Sequence, residues 1–261
     1  MNANVLTDSA TMLRRSLRRL RRYPSLTFFI AAFPIVFLLL FVYVLGGTLG
    51  AGLGGSAAGR DDYLAYVTPG ILLFTVVGAA QGTAISMAMD KTEGIIDRFR
   101  TMAIARASVL TGHVMGAVIQ TLLAVAIVTI VAVAIGFRPG TGPVAWVAAL
   151  GLLTLTAVAV SWLCVALGMA PESVETASNL PMLLTILVFL SSSFVPTASM
   201  PGALRWFADV QPFTPIIETL RGLLVGTPIG TSGVVAIAWC GAVSVAGYVW
   251  AIRLYERTRS R

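Results

Sequence analysis

Residues 143–170 decide the class of fold, and they read PVAWVAALGLLTLTAVAVSWLCVALGMA without an Asp, Glu, Lys or Arg. A helix needs about 20 apolar residues to cross roughly 30 Å of hydrocarbon, so this run can cross a bilayer. Five more charge-free runs of comparable length lie at residues 26–45, 66–89, 109–135, 177–195 and 232–252. The sequence therefore predicts an all-α integral membrane protein with six transmembrane helices.

The composition of the chain supports the same class. Of its 261 residues, 57% are hydrophobic and 11% are charged, with a mean hydropathy of +0.88. Soluble domains carry about 25% charged residues. An ordinary soluble enzyme and a disordered chain are both excluded.

The distribution of basic residues predicts the orientation, because Lys and Arg near span ends stay on the cytoplasmic side. With both termini cytoplasmic, fourteen of the eighteen basic residues lie inside: Arg14, Arg15, Arg18, Arg19, Arg21, Arg22, Lys91, Arg98, Arg100, Arg106, Arg253, Arg257, Arg259 and Arg261. The outer loops hold Arg60, Arg138, Arg205 and Arg221. The sequence pI near 10.1 is thus explained by topology, and we expect no nucleic-acid partner.

Residues 1–24 predict a cytoplasmic interfacial helix that rests on membrane lipids. Its apolar residues recur at alternating spacings of four and three, and six arginines fall on the opposite side: Leu6, Ala10, Leu13, Leu17 and Leu20 form the apolar stripe. Pro24 is expected to end this helix before the first span. A simple positive-inside anchor and a mechanical role both remain open.

The segment between the second and third spans predicts a short cytoplasmic helix at about residues 90–106. Asp90 and Glu93 have the spacing of a capping box, and Ile95, Ile96 and Phe99 give the segment an apolar face. A solvated connection needs only a few polar residues, so docking of a partner is favoured over simple solvation.

The outer segment 196–231 is apolar but divided by prolines, which predicts two short helices at about residues 200–226 that are either re-entrant or interfacial. In the second, Thr214 is the expected N-cap, Pro215 the first helical position and Gly226 the stop. Glu218 and Arg221 lie three apart and can pair, either as a local ion pair or at a substrate contact.

Sequence signatures of catalysis are absent. The chain has no G-x-x-x-x-G-K-[ST] phosphate loop, no carboxylate inside a span and no HExxH motif. His113 has no acidic neighbour in sequence, and Cys164 and Cys240 lie inside spans without a CxxC spacing. We therefore expect no catalytic residue, no metal site and no cofactor on this chain.

The six-span plan, a Glu-Gly-x-x-x-Arg element (Glu93, Gly94, Arg98) and the segment PFTPIIETLRGLLVG at residues 212–226 resemble the ABC-2 type permeases. The daunorubicin-resistance type of exporter subunit is the most similar branch, and the resemblance covers essentially the whole chain. It departs from that pattern at residues 102–105, where MAIA replaces the proline-containing turn of many members.

This resemblance implies a transmembrane subunit of an ATP-driven exporter, paired with a second permease copy or a sister permease. Two separate ATP-binding subunits would hold ATP and Mg²⁺, and the helix at 90–106 would be the coupling helix that contacts them. Carried over to this chain, the contact residues are Lys91, Glu93, Gly94, Asp97, Arg98 and Arg100. The outer helices would close the extracellular exit, with Phe213, Glu218 and Arg221 at the gate.

A charge-free path suits an amphipathic, drug-like or lipid-like substrate, because fixed charge at the bilayer centre is costly. Candidates to line it are Phe33, Phe37, Gln81, Gln120, Asn179 and Ser191, although polar residues in spans more often bond to neighbouring helices. A single lysine among eighteen basic residues, with abundant Ala, Gly and Val, indicates a GC-rich bacterium. We expect the protein in the bacterial plasma membrane. A polysaccharide or lipid-linked glycan exporter, an ATP-independent secondary carrier and a structural membrane protein remain alternatives.

Overall fold

The computed structural model describes residues 24–52, 59–94, 106–171 and 173–257, and these ranges contain helices and no strand. The predicted interfacial helix, apart from Pro24, and most of the predicted coupling helix lie outside the described residues. The all-helical class predicted from the sequence is confirmed for the described part of the chain.

Ten α-helices follow one another along the described ranges. Their bounds are α1 Pro24–Leu39, α2 Gly46–Ala51, α3 Arg60–Thr92, α4 Arg106–Ala134, α5 Pro143–Met169, α6 Val174–Asn179, α7 Met182–Phe189, α8 Gly202–Val210, α9 Phe213–Val225 and α10 Ser232–Arg257. A π-helical turn, Leu40–Val44, extends α1, and a 3-10 turn, Thr197–Ser199, precedes α8.

Four helices among the described residues, α3, α4, α5 and α10, are long and apolar enough to cross a membrane. The first and fifth predicted spans correspond to shorter apolar stretches, Phe28–Val44 and Val174–Phe189. Apolar helices therefore occur at all six predicted places, while a topology of six crossings stays a prediction.

The fifth predicted span, at residues 177–195, is not one continuous helix. Pro181 separates α6 from α7, because its ring removes a backbone N–H and obstructs the preceding turn. Helix α7 ends at Phe189, six residues before the predicted end, and the chain then turns. Uniform apolarity hid this break in the sequence.

The centre of the bundle is the contact of α5 with α3 on one side and α10 on the other. A Cβ on Gly168 of α5 would overlap the carbonyl of Ala84 on α3, and a Cβ on Gly247 of α10 would lie 2.8 Å from the backbone nitrogen of Leu163. Glycine at both crossings lets the backbones approach closely, as is common between helices in membranes.

Two side-chain bonds show which helix ends lie together. Arg60, at the start of α3, donates from Nη2 to the Ile135 carbonyl after α4 at 3.5 Å. The Thr141 hydroxyl in the next loop donates to the Leu223 carbonyl of α9 at 2.6 Å. The start of α3, the end of α4 and the end of α9 therefore share one end of the bundle.

The two short helices predicted in the outer segment are present as α8 and α9. Gly226 ends α9 in the left-handed conformation, with φ +90°, as the sequence predicted. Thr214 is not the N-cap, because α9 begins at Phe213 and the Thr214 hydroxyl instead donates to the Ala208 carbonyl of α8. Whether the pair enters the membrane stays a prediction.

Candidate functional site

The last turn of α3 reaches the end of α5 through Lys91, the only lysine of the chain. Its Nζ donates to the Met169 carbonyl at 2.8 Å and to the Pro171 carbonyl at 2.7 Å. The final carbonyls of a helix have no partner within the helix, and a cation at that end is also favoured by the helix dipole. Lys91 thus caps the C-terminus of α5.

The same turn reaches α4 through Asp90. Its Oδ2 lies 3.1 Å from His113 Nε2, and the two side chains are 14% and 21% exposed. His113 has no acidic neighbour in the sequence, and the fold supplies one, Asp90, from the preceding helix. We call Asp90, Lys91 and His113 the α3-end cluster.

Helix α3 ends with a defined turn directly after this cluster. Gly94 has φ +69°, and its N–H donates to the Lys91 carbonyl at 3.2 Å. Residues other than glycine rarely adopt this left-handed conformation. The predicted capping box at Asp90 and Glu93 is therefore corrected: Asp90 lies in the last turn of α3 and does not begin a new helix.

The predicted coupling residues divide between the described residues and the gap. Lys91 is half-buried in the α3-end cluster, whereas the Glu93 side chain is exposed and Gly94 forms the turn. Asp97, Arg98 and Arg100 lie outside the described residues. Their contact with an ATPase stays a prediction.

A second polar cluster surrounds Arg221 of α9. Its guanidinium carbon lies 3.9 Å from the centre of the Tyr66 ring, and its Nη2 donates to the Ser192 carbonyl at 2.8 Å. The Tyr66 hydroxyl donates to the same carbonyl at 2.9 Å. Arg221 thus ties α9 to α3 and to the turn after α7; we call Tyr66, Ser192 and Arg221 the Arg221 cluster.

The predicted pair of Glu218 and Arg221 does not form a direct salt bridge within the described residues. Glu218 instead accepts a bond from the Ser232 hydroxyl at 2.9 Å, at the start of α10. Burial lowers the pKa of the Arg221 guanidinium, while nearby Tyr66 and Glu218 raise it. An arginine stays charged under these influences.

The candidate path residues differ in their exposure and in their bonding partners, and their role in lining a path stays a prediction. Gln81 donates from Nε2 to the Pro181 carbonyl at 3.2 Å and also bonds to the Thr185 hydroxyl, so it holds α3 to the break before α7. Ser191 is buried and bonds to its own turn, whereas Asn179 is exposed and Gln120 is half-buried.

Phe33 and Phe37 of α1 belong to an aromatic cluster that the sequence did not reveal. The Phe37 ring centre lies 4.8 Å from that of Phe33, 5.4 Å from that of Phe74 on α3 and 5.8 Å from that of Phe189 on α7. Phe189 stacks on Phe194 at 4.9 Å. Phe33 is 57% exposed, so the cluster has one face at the surface of the chain.

The predicted gate residue Phe213 is buried and borders an uncharged groove between four elements of the bundle. The groove is lined by Thr156, Ala159, Val160 and Leu163 of α5, Leu184 and Leu187 of α7, Pro212, Phe213 and Ile216, and Trp239, Cys240 and Val243 of α10. Such a lining accepts apolar groups and offers no charge to bind an ion.

The part of the chain that the structure describes has no group of three His, Cys, Asp or Glu residues positioned for a metal ion. Cys164 and Cys240 are buried free thiols, on α5 and α10. Several polar side chains among the described residues, such as Gln81, Lys91 and Arg221, join separate helices.

Comparison with known proteins identifies the family to which this arrangement belongs. The family model for ABC-2 type transporters matches residues 8–225, most of the chain. The chain belongs to the ABC-2 type transporters. This permease is 29% identical over 256 residues to the daunorubicin resistance ABC transporter permease protein DrrB1 of Streptomyces coeruleorubidus, covering 97% of this chain and 88% of that protein.

Two further relatives are more distant. A probable doxorubicin resistance ABC transporter permease protein, DrrC, of Mycobacterium tuberculosis is 22% identical over 81% of this chain and 75% of its own length. Nodulation protein J of Rhizobium meliloti is 24% identical over 76% of each chain. This ABC-2 permease is therefore similar to two proteins named as ABC transporter permeases, which agrees with its apolar helices.

Proposed function

We propose that this ABC-2 permease is the membrane subunit of an ATP-driven exporter that moves an amphipathic, drug-like or lipid-like substrate out of the cell. The observation that carries the proposal is the similarity over 97% of the chain to a permease named for daunorubicin resistance. The uncharged groove and the aromatic cluster support an apolar substrate.

The proposed complex contains two permeases, either two copies of this chain or one copy and a sister subunit. Two ATP-binding subunits hold ATP and Mg²⁺, because the permease sequence has no phosphate loop of its own. The complex lies in the bacterial plasma membrane, and both termini of this chain are cytoplasmic.

The proposed contact with the ATPase consists of Glu93, Gly94, Asp97, Arg98 and Arg100. Exposure of Glu93 supports it, because an exposed carboxylate is accessible to a partner, and the left-handed turn at Gly94 ends α3 directly before the other residues of the segment. ATP binding would draw the two ATPases together and move this segment. The two short helices α8 and α9, with Phe213, Glu218 and Arg221, would close the outer exit.

The test is transport by the complex in proteoliposomes, with daunorubicin followed by its own fluorescence. We expect daunorubicin to accumulate inside those proteoliposomes whose ATP-binding subunits face outward. This accumulation should require hydrolysable ATP and survive a proton ionophore. A non-hydrolysable ATP analogue is the matched control. Transport without ATP that collapses with the proton gradient would indicate a secondary carrier and contradict the proposal.

A further inference from the structure

Residues 93–105 connect α3 to α4, and we call them the coupling segment. We propose that Asp90 and Lys91 form a clamp that passes movement of the coupling segment into α4 and α5, so that Lys91 is a positioning residue and not part of the ATPase-binding surface. This inference rests on the proposed function, because it describes how that exporter transmits movement. It differs from the role that the family resemblance implies for Lys91.

Asp90 and Lys91 point from α3 toward two different helices. Neighbouring residues on an α-helix are about 100° apart, so Asp90 and Lys91 face different neighbours. Asp90 meets His113 on α4 at 3.1 Å, and Lys91 meets the Met169 and Pro171 carbonyls at the end of α5. One turn of α3 therefore holds two other helices.

The turn that carries Asp90 and Lys91 is the last one before the chain leaves α3. Helix α3 ends at Thr92 and α4 begins at Arg106, so the coupling segment joins the two helices that the Asp90–His113 contact holds together. A displacement of the segment therefore moves both helices as a pair. Lys91 adds α5, which is packed against α10 as well as α3.

Two hydrogen bonds link Lys91 to the end of α5. Lys91 supplies two charge-assisted hydrogen bonds, one to the carbonyl of Met169, the last residue of α5, and one to the carbonyl of Pro171 beyond it, and such bonds are stronger than neutral ones. Its side chain is half-buried, so water competes for these bonds less than at an exposed site. The clamp is thus suited to transmit a pull without releasing α5.

The first experiment measures coupling in the reconstituted complex. Lys91→Met removes the donors and keeps the apolar stem, whereas Lys91→Arg keeps donors at similar reach. We expect Lys91→Met to lower the substrate moved per ATP hydrolysed by about an order of magnitude, because its two charge-assisted bonds to the end of α5 are lost, while the ATPase still co-purifies. Lys91→Arg should restore most of the ratio.

The matched control is Thr92→Val, because Thr92 lies on the same turn, is exposed and, among the described residues, bonds only to the Met89 carbonyl of its own helix, at 3.0 Å. It should leave the ratio unchanged. An unchanged ratio in Lys91→Met, or loss of the ATPase from that variant, would overturn the clamp. Failure of the proposed function would instead appear in the wild-type complex, as transport that does not require ATP.

The second experiment needs no variant, because Lys91 is the only lysine of the sequence and mass spectrometry of its peptide can follow amine-reactive labelling at this one position. Lys91 in permease unfolded by a denaturing detergent serves as the reference for full reactivity. We expect slow labelling of Lys91 in the isolated permease and equally slow labelling in the complex. Fast labelling in the isolated permease would show that the Lys91 amine is exposed and not bonded to the end of α5. That result would overturn the clamp.

Discussion

At the scale of the residue, Arg221 shows how a charge is accommodated in an apolar bundle. Its guanidinium stacks on the Tyr66 ring and donates to the Ser192 carbonyl, so it needs no carboxylate partner at bonding distance. Arginine suits this place because its planar group can stack and donate at the same time. The result is one side chain that joins α9 to two other parts of the chain.

Replacing Arg221 should therefore destabilise the fold. We expect Arg221→Met to lower the free energy of unfolding by about 2 kcal/mol, since bonds to a charged group and a ring contact are lost together. The measurement is unfolding of the purified permease in mixed micelles by a denaturing detergent.

The control for this prediction is Arg205→Met on α8. Arg205 is an exposed cation whose side chain, within the described ranges, reaches only Asp209 of its own helix, at 3.7 Å. Exposed pairs of this kind contribute little, so its unfolding should match that of the wild type. Equal stability of the two variants would show that the Arg221 cluster does not hold α9.

At the scale of the element, the contact between α3 and α5 depends on the absence of a side chain. Gly168 faces the Ala84 carbonyl so closely that even a methyl group has no room. Backbone, unlike the end of a flexible side chain, cannot give way cheaply. The separation of the two central helices is thus set by one glycine.

Gly168→Ala should push these helices apart and cost about 1–3 kcal/mol of unfolding free energy, the usual penalty of overpacking. Gly151→Ala on the same helix is the matched control, because nothing lies within 4 Å of the Cβ it would add. Both variants gain the same helix propensity, so their difference isolates the crossing. If Gly168→Ala unfolds like Gly151→Ala, the close approach is not a constraint in solution.

At the scale of the whole molecule, hydropathy predicted where the apolar helices lie and turn chemistry predicted the end of α9 at Gly226. The break at Pro181 was missed because residues on both sides of it are equally apolar. Arg221 and Ser192 are 29 residues apart, and Lys91 and Met169 are 78 apart. No local pattern encodes such pairs, and only the packing of α3 against α5 and α9 brings them together.

The unusual use of one lysine among eighteen basic residues was visible in the sequence, but its meaning was not. The preference of cations for helix C-termini indicates what a lysine could cap, yet it does not say which helix. The partner became evident once α3 and α5 were placed side by side. Similar reasoning applies to His113, whose acidic neighbour comes from the helix before it.

The number of membrane crossings is a property of the whole molecule, and the split between α6 and α7 makes the fifth crossing the one to test. The bond from Thr141 to the Leu223 carbonyl places the loop after α4 and the end of α9 at one end of the bundle. Lys91, in the last turn of α3, lies beside the end of α5, at the opposite end of α3 from Arg60. With both termini cytoplasmic, the first of these ends is expected to face outward.

Single cysteines at exposed positions can measure this topology, because the native thiols Cys164 and Cys240 are buried. A membrane-impermeant maleimide should label Gly142→Cys and Ser199→Cys in intact cells, and Glu175→Cys only after permeabilisation. Gly142 and Glu175 flank α5 and report its crossing, whereas Glu175 and Ser199 flank the broken pair α6 and α7. Labelling of Ser199→Cys only after permeabilisation would mean that α6 and α7 enter the membrane and return to the same side, and the six-crossing topology would be wrong.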